Sequence, residues 1–248
     1  MGNRNEIIKY CREYLQVGEF EDYCVNGLQV EGKPEIKKII TGVSLSQKLI
    51  REVIREKGDM LMVHHGIFGK EIGATPRIEG YVKGRIKLLL ENEINLAGFH
   101  LPLDAHPEIG NNISLAKNLG LKNLKSFGIG FIGEPEKEMK FNDLAEFFNN
   151  KYSFNSFIIS AGPETIKKVG IVSGGAADDF KEALKNGADT FVTGEPKESV
   201  VRAVEESDIN LIAAGHYNTE KNGIHNLGEL LKEEFKIEHK FIDIPCEI

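Results

Sequence analysis

The chain has 248 residues, 41% hydrophobic and 28% charged, with a net charge of −7. That length carries one large domain or two small ones with a proper core, and the charge excludes a general attraction to nucleic acid or anionic membrane. Three scattered cysteines (Cys11, Cys24, Cys246), no C-x-x-C, no apolar signal region in MGNRNEIIKYCREYL and no long apolar run point to a cytoplasmic protein without disulfide scaffold, zinc ribbon or membrane span.

Apolar residues at helical spacing (Ile7, Ile8, Cys11, Tyr14, Leu15) predict a first helix over 5–17. Asn26 and Gly27 signal a turn before a short strand, Leu28 to Val30. Lys38 to Ser44 reads as a strand, and Ser46 as the cap of a helix ending near Lys57. The next strand, LMV from Leu61, runs directly into His64, His65 and Gly66. A glycine-rich loop over 66–79, a helix over 80–91 and a strand from Ile94 to Phe99 follow, the strand ending at His100 and Asp104. Asn111 and Asn112 open a helix that stops near Gly120. Gly128, Gly130, Gly133 and Pro135 suggest a boundary, after which Phe141 to Asn149 reads as a helix and Phe157 to Ile159 as a strand. Lys117, Lys122 and Lys125 are expected to be an ordinary solvated face.

The pattern then returns. Lys168 to Ser173 matches Lys38 to Ser44, Gly187 to Glu195 matches Gly58 to His65, and Ser207 to His216 matches Glu93 to His100. In both halves a carboxylate follows the histidine by four residues: His100 to Asp104, and His216 to Glu220. Three matches in one order predict an internal duplication. The expected fold is α/β: two similar halves, 1–127 and 128–248, with mostly parallel sheets flanked by helices and a metal site between them, to which the helix after His216 contributes.

Ligands in open α/β sheets collect beyond the carboxyl ends of the strands. Those ends carry His64 and His65, His100 with Asp104, Glu195, and His216 with Glu220. A buried strand has little reason to end in two histidines, and imidazole is the commonest metal ligand. Three imidazoles with two carboxylates favour Zn, Mn, Fe or Ni over Mg or Ca. Five ligands exceed what one catalytic zinc uses, so two divalent ions are expected, and they would lower the pKa of a bound water. Their four positive charges against the two negative ones of Asp104 and Glu220 favour a small anionic or nucleotide ligand. His106, His225 and His239 are expected at the surface. Gly174 and Gly175 read either as an anion cradle or as a plain turn, and no P-loop, G-x-G-x-x-G or G-x-S-x-G is present.

Asn26–Val30 (NGLQV), His64–Gly66 (HHG), His100–Ala105 (HLPLDA), Ser173–Ala176 (SGGA), Thr193–Glu195 (TGE) and Gly215–Glu220 (GHYNTE) resemble, in that order, the motifs of the NIF-three-like family. Many of its members are called GTP cyclohydrolase type 2 homologs. The resemblance spans nearly the whole chain. It implies a two-part α/β fold, a dinuclear metal centre held by His64, His65, Asp104, His216 and Glu220, and His100 and Glu195 beside the metals. It also implies a homohexamer, a ring built as a trimer of dimers. The chain departs from it after the histidines, where Gly66, Ile67 and Phe68 stand in place of a frequent proline, and around Phe99 to Leu101, which is less polar.

The resulting expectation is a metal-dependent hydrolase of a nucleotide or related phosphorylated heterocycle, with Glu195 or His100 moving the proton. The family name points to ring-opening hydrolysis of GTP. The alternatives are a non-catalytic ring with structural metals, binding nucleic acid or protein, and a metal-handling protein.

Overall fold

The computed structural model describes residues 1–69 and 77–246. The loop expected over 66–79 therefore lies, from 70 to 76, outside the described residues. The chain forms two compact units. The first comprises Met1–Leu103 and Gly223–Ile244, and the second Asp104–Asn222 with the end of the chain from Pro245. This division differs from the expected halves at 127/128. That boundary would cut an antiparallel hairpin, Leu121–Phe127 with Gly130–Pro135, whose turn holds Gly128. The hairpin belongs wholly to the second sheet.

The first unit is built on a five-stranded sheet in the order Glu238–Phe241, Lys38–Ser44, Met60–His65, Asn95–Gly98, Gly27–Val30. All neighbours are parallel except the last pair. Met60, Leu61, Met62 and Val63 are fully buried, as a central parallel strand covered on both faces requires. Each such side chain contributes roughly 1.5–3 kcal/mol through burial. Leu61 and Val63 pack with Leu49, Ile50 and Val53 of the helix Gln47–Arg55 and with Val82 and Leu89 of Gly80–Glu91. Ser46 caps the former helix by accepting the Leu49 N–H at 3.1 Å.

The second unit has six strands: Phe157–Ile159, Asn210–Ala213, Thr190–Thr193, Val169–Ile171, Gly130–Pro135, Leu121–Phe127. Only the three from 169 to 213 are mutually parallel. The hairpin on one edge and Phe157–Ile159 on the other pair antiparallel. The sheet is therefore mixed, which corrects the expectation of mostly parallel strands for this half. Strand alternation sends Val192 and Ile212 toward the helix Phe141–Tyr152, and Phe191, Leu211 and Ala213 toward Phe180–Lys185 and Glu198–Glu205.

Both units start their parallel run with the same devices. Asp59 accepts the backbone N–H groups of Lys37 (2.9 Å) and Lys38 (3.1 Å), and Asp189 those of Lys167 (2.8 Å) and Lys168 (3.3 Å). Asn95 accepts the Gly32 N–H at 2.8 Å, and Asn210 the Gly162 N–H at 2.9 Å. His239 departs from the expected surface position. Its side chain is 1% exposed and lies between Thr41 Oγ1 and Glu229 Oε1, each at 2.8 Å, because the edge strand Glu238–Phe241 turns it inward. No helix among the described residues is long and apolar enough to cross a membrane.

Candidate metal centre

In the first unit the parallel strands deliver Ser44, His65 and, just past the next strand, His100 to one edge. Ser44 pairs with His65 in register. The rings of His64 and His65 are 4.7 Å apart, those of His64 and His100 5.0 Å, and those of His65 and His100 5.7 Å. One nitrogen from each imidazole lies within 4.8 Å of the others. His64 is 1% exposed, and its Nδ1 lies 2.9 Å from the carbonyl oxygen of Phe99. A carbonyl only accepts, so Nδ1 carries a proton, which leaves Nε2 as the nitrogen able to offer a lone pair. Metal-ligating histidines are oriented in this way. His65 Nδ1 lies 2.9 Å from Ser44 Oγ.

The NGLQV segment builds the support for these rings. Asn26 Oδ1 accepts the His100 backbone N–H at 2.7 Å, and its Nδ2 donates to Asp22 at 2.9 Å. Gln29 Oε1 accepts the Ile67 N–H at 2.7 Å and so fixes the chain leaving the two histidines. A Cβ on Gly66 would stand 2.3 Å from that oxygen, so the position after the histidines admits only glycine without displacing Gln29.

In the second unit, Glu220 and Asp104 are both 3% exposed, and each offers a carboxylate oxygen within 4.8 Å of the other. Asp104 Oδ1 accepts from Asn111 Nδ2 at 2.8 Å and from Ser173 Oγ at 3.1 Å. His216 sits between two carboxylates, with Nδ1 2.6 Å from Glu195 and Nε2 3.0 Å from Glu220. Burial alone would lower its pKa, but the hydrogen bonds and charges of Glu220 and then Glu195 push it up to about 9. Glu195, its side chain 39% exposed, holds the outer nitrogen, and Glu220, 3% exposed, the inner one.

Gly174 is no anion cradle. Its N–H donates to Thr219 Oγ1 at 3.1 Å, and its carbonyl accepts from Gly194 and Glu195. It is glycine because φ is +68° and a Cβ would stand 2.2 Å from Glu220 Oε1.

The structure thus brings His64, His65 and His100 together in one unit. In the other it brings together Asp104, His216 and Glu220, with Glu195 behind His216. Of the supports, Asp22 was not singled out from the sequence; Asn111 was read only as a helix opener, and Ser173 and Thr219 only as parts of the SGGA and GHYNTE motifs.

Borderline transition metals fit this donor set: imidazoles, with that of His64 fixed in one tautomer, and buried carboxylates, with that of Asp104 already held by N–H and O–H donors. A protein from Haemophilus influenzae called GTP cyclohydrolase 1 type 2 homolog is 43% identical, over 98% of this chain and 100% of its own. A solved structure titled protein ybgI, unknown function, superposes with a TM-score of 0.94 at 38% identity, covering all of both chains. The crystal structure of TTHA1606 from Thermus thermophilus gives 0.92 at 34% identity, again over all of both chains. The sequence profile of Duf34/NIF3 (NGG1p interacting factor 3) matches residues 2–246, and the chain belongs to that family.

Proposed function

We propose that the protein holds two divalent transition-metal ions through His64, His65, Asp104, His216 and Glu220, and uses them to hydrolyse a nucleotide or related phosphorylated heterocycle. The observation that carries this reading is the matched treatment of His64 and His216. Each has one ring nitrogen tied to an acceptor, the Phe99 carbonyl or Glu195, which is how a protein aims the other nitrogen at a metal. The bound ions supply water activation and charge stabilisation. Asp104 and Glu220 bring two negative charges to four positive ones, so the centre attracts an anionic substrate. The name of the Haemophilus relative supports a purine nucleotide as the first candidate.

The two ligand sets are read as descendants of one duplicated half-site. The paired devices Asp59 and Asp189, and Asn95 and Asn210, support this. The assembly is proposed to be a hexamer, which sedimentation of the purified protein would check.

Metal analysis of purified protein tests the centre. About two ions per chain are expected, the number a two-metal site requires, with clear loss in His64→Ala. A nucleotide panel, GTP included, tests the chemistry. Turnover by the metal-loaded protein no higher than that of Glu220→Ala would refute the hydrolase reading while leaving metal binding intact.

A further inference from the structure

The pairing of Met60–His65 with Asn95–Gly98 ends at Val63 and Gly98, where the second chain turns toward the helix Leu101–Ala105. On the opposite side Leu45 N–H still reaches the His65 carbonyl, at 2.9 Å. The backbone that leaves the histidines, residues 66–68, takes its hydrogen bonds from elsewhere. Phe68 accepts the Val25 N–H at 3.0 Å, and the rest come from Gln29.

In the edge strand Gly27–Val30, Leu28 stands opposite Ala97 and Val30 opposite Leu96. Gln29 is thus an inserted residue, and such a bulge re-aims its side chain. The chain crosses Gly98 and reaches Gly66. A Cβ at Gly98 would stand 2.6 Å from Gln29 Nε2, and one at Gly66 2.3 Å from Oε1. Oε1 accepts the N–H groups of Ile67 (2.7 Å) and Phe68 (3.3 Å), and Nε2 donates to the Val25 carbonyl at 2.8 Å. Donors face the oxygen and an acceptor faces the nitrogen, which assigns the amide. A carboxamide carries the C=O and N–H of a peptide group. Gln29 therefore serves as a strand neighbour where the strand itself stops.

We propose that Gln29 is a positioning residue of the histidine pair: by holding the backbone just after His64 and His65, it sets the geometry in which they meet a metal ion. The proposal rests on the metal-binding part of the function above and not on hydrolysis. The pair is already fixed from its two neighbouring strands, His64 by the Phe99 carbonyl and His65 by Ser44 Oγ and Leu45 N–H. Gln29 fixes it from the third direction, along the chain. It touches neither ring, so its effect passes through the peptide backbone.

Cobalt(II) titration of the full chain, followed by visible absorption, tests this, because the cobalt bands report ligand geometry. Gln29→Met keeps the length of the side chain and removes its hydrogen bonds. Gln29→Glu supplies a sign. It keeps an acceptor for Ile67, sets a second oxygen against the Val25 carbonyl, and adds a negative charge beside Gly66. Charge alone would tighten cobalt binding, whereas a displaced histidine pair loosens it. Ile50→Val, in the buried face of the helix Gln47–Arg55, controls for a loss of stability alone.

Cobalt affinity in Gln29→Met should fall on the order of 10–100-fold, as for other outer supports of metal ligands, with a changed spectrum. Gln29→Glu should also bind more weakly, despite its added charge. Ile50→Val should lower the melting midpoint and leave the spectrum as in wild type. Wild-type affinity and spectrum in Gln29→Met, tighter binding by Gln29→Glu, or the same spectral change in Ile50→Val would each overturn the proposal while leaving the metal centre standing. No cobalt uptake by wild type would instead remove the metal centre, and the role of Gln29 with it.

Discussion

At the scale of single residues, what decides the site is which nitrogen or oxygen each support leaves available. His216 gives a direct consequence. Its folded pKa is raised to about 9, so an ion bound there as proposed would have to displace a proton from it over the neutral range. Metal affinity measured by titration should therefore rise roughly tenfold per pH unit up to about pH 9 and then level off, since ligands bind deprotonated. In Glu195→Gln the levelling-off should move to lower pH, because one of the two carboxylates favouring the imidazolium is gone. The same raised value makes the metal-free protein pH-sensitive. The stabilisation from imidazolium is complete below about 6.5 and is lost as pH rises through about 9. Thermal melts of metal-free protein should fall over that window, and metal loading should abolish the dependence. The gathering of His64, His65 and His100 at one sheet edge was legible in sequence, because the strands that lead into them end side by side. Asp22 was not. It meets His100 across 78 positions, and nothing local to a lone aspartate announces such a partner.

At the scale of elements, the strand–turn junctions make the ligand sets possible. Gly174 shows how narrow the tolerance is. Alanine there would force a positive φ on a side chain and drive its Cβ into Glu220. Gly174→Ala should cost about 1–3 kcal/mol in a denaturant melt and lower metal content, whereas Gly18→Ala, where a Cβ would meet nothing within 4 Å, should do neither. Elements with clear periodicity were readable: the helix Gly80–Glu91 and the strand Phe157–Ile159 stand where expected. The hairpin Leu121–Pro135 was not, because its glycines and proline imitate a linker and its first strand, LKNLKSF, carries polar residues around a register shift. The edge strand Glu238–Phe241 reads EHKF. Charge at an edge is what a sheet needs to discourage pairing with other chains, and that same charge hides the strand from a hydrophobicity pattern.

At the scale of the whole molecule, the chain's path matters as much as its sheets. After Glu220 the helix Lys221–Phe235 leads from the second unit into the first, where Glu238–Phe241 closes the sheet beside Lys38–Ser44. The residues that follow, Ile242 and Ile244, pack against the first unit's core. The first unit is therefore completed only when the C-terminal segment is in place. Removing everything after Lys236 would leave the Lys38–Ser44 strand with an open edge, because that strand's remaining neighbour lies on its other side. It would also strip the partner from Thr41 and uncover part of the apolar core. The expected outcome is selective. Hydrogen exchange should accelerate in Lys38–Ser44 and Met60–His65 while the strands from Val169 to Ala213 keep their protection, and the shortened protein should aggregate through its exposed edge. Acidification should imitate this weakly in the intact chain. Burial lowers the pKa of His239, so the stability its neutral ring provides is present above about pH 6.5 and declines as pH falls. Uniform loss of protection in both sheets on truncation would show instead that the two units fold as one cooperative body.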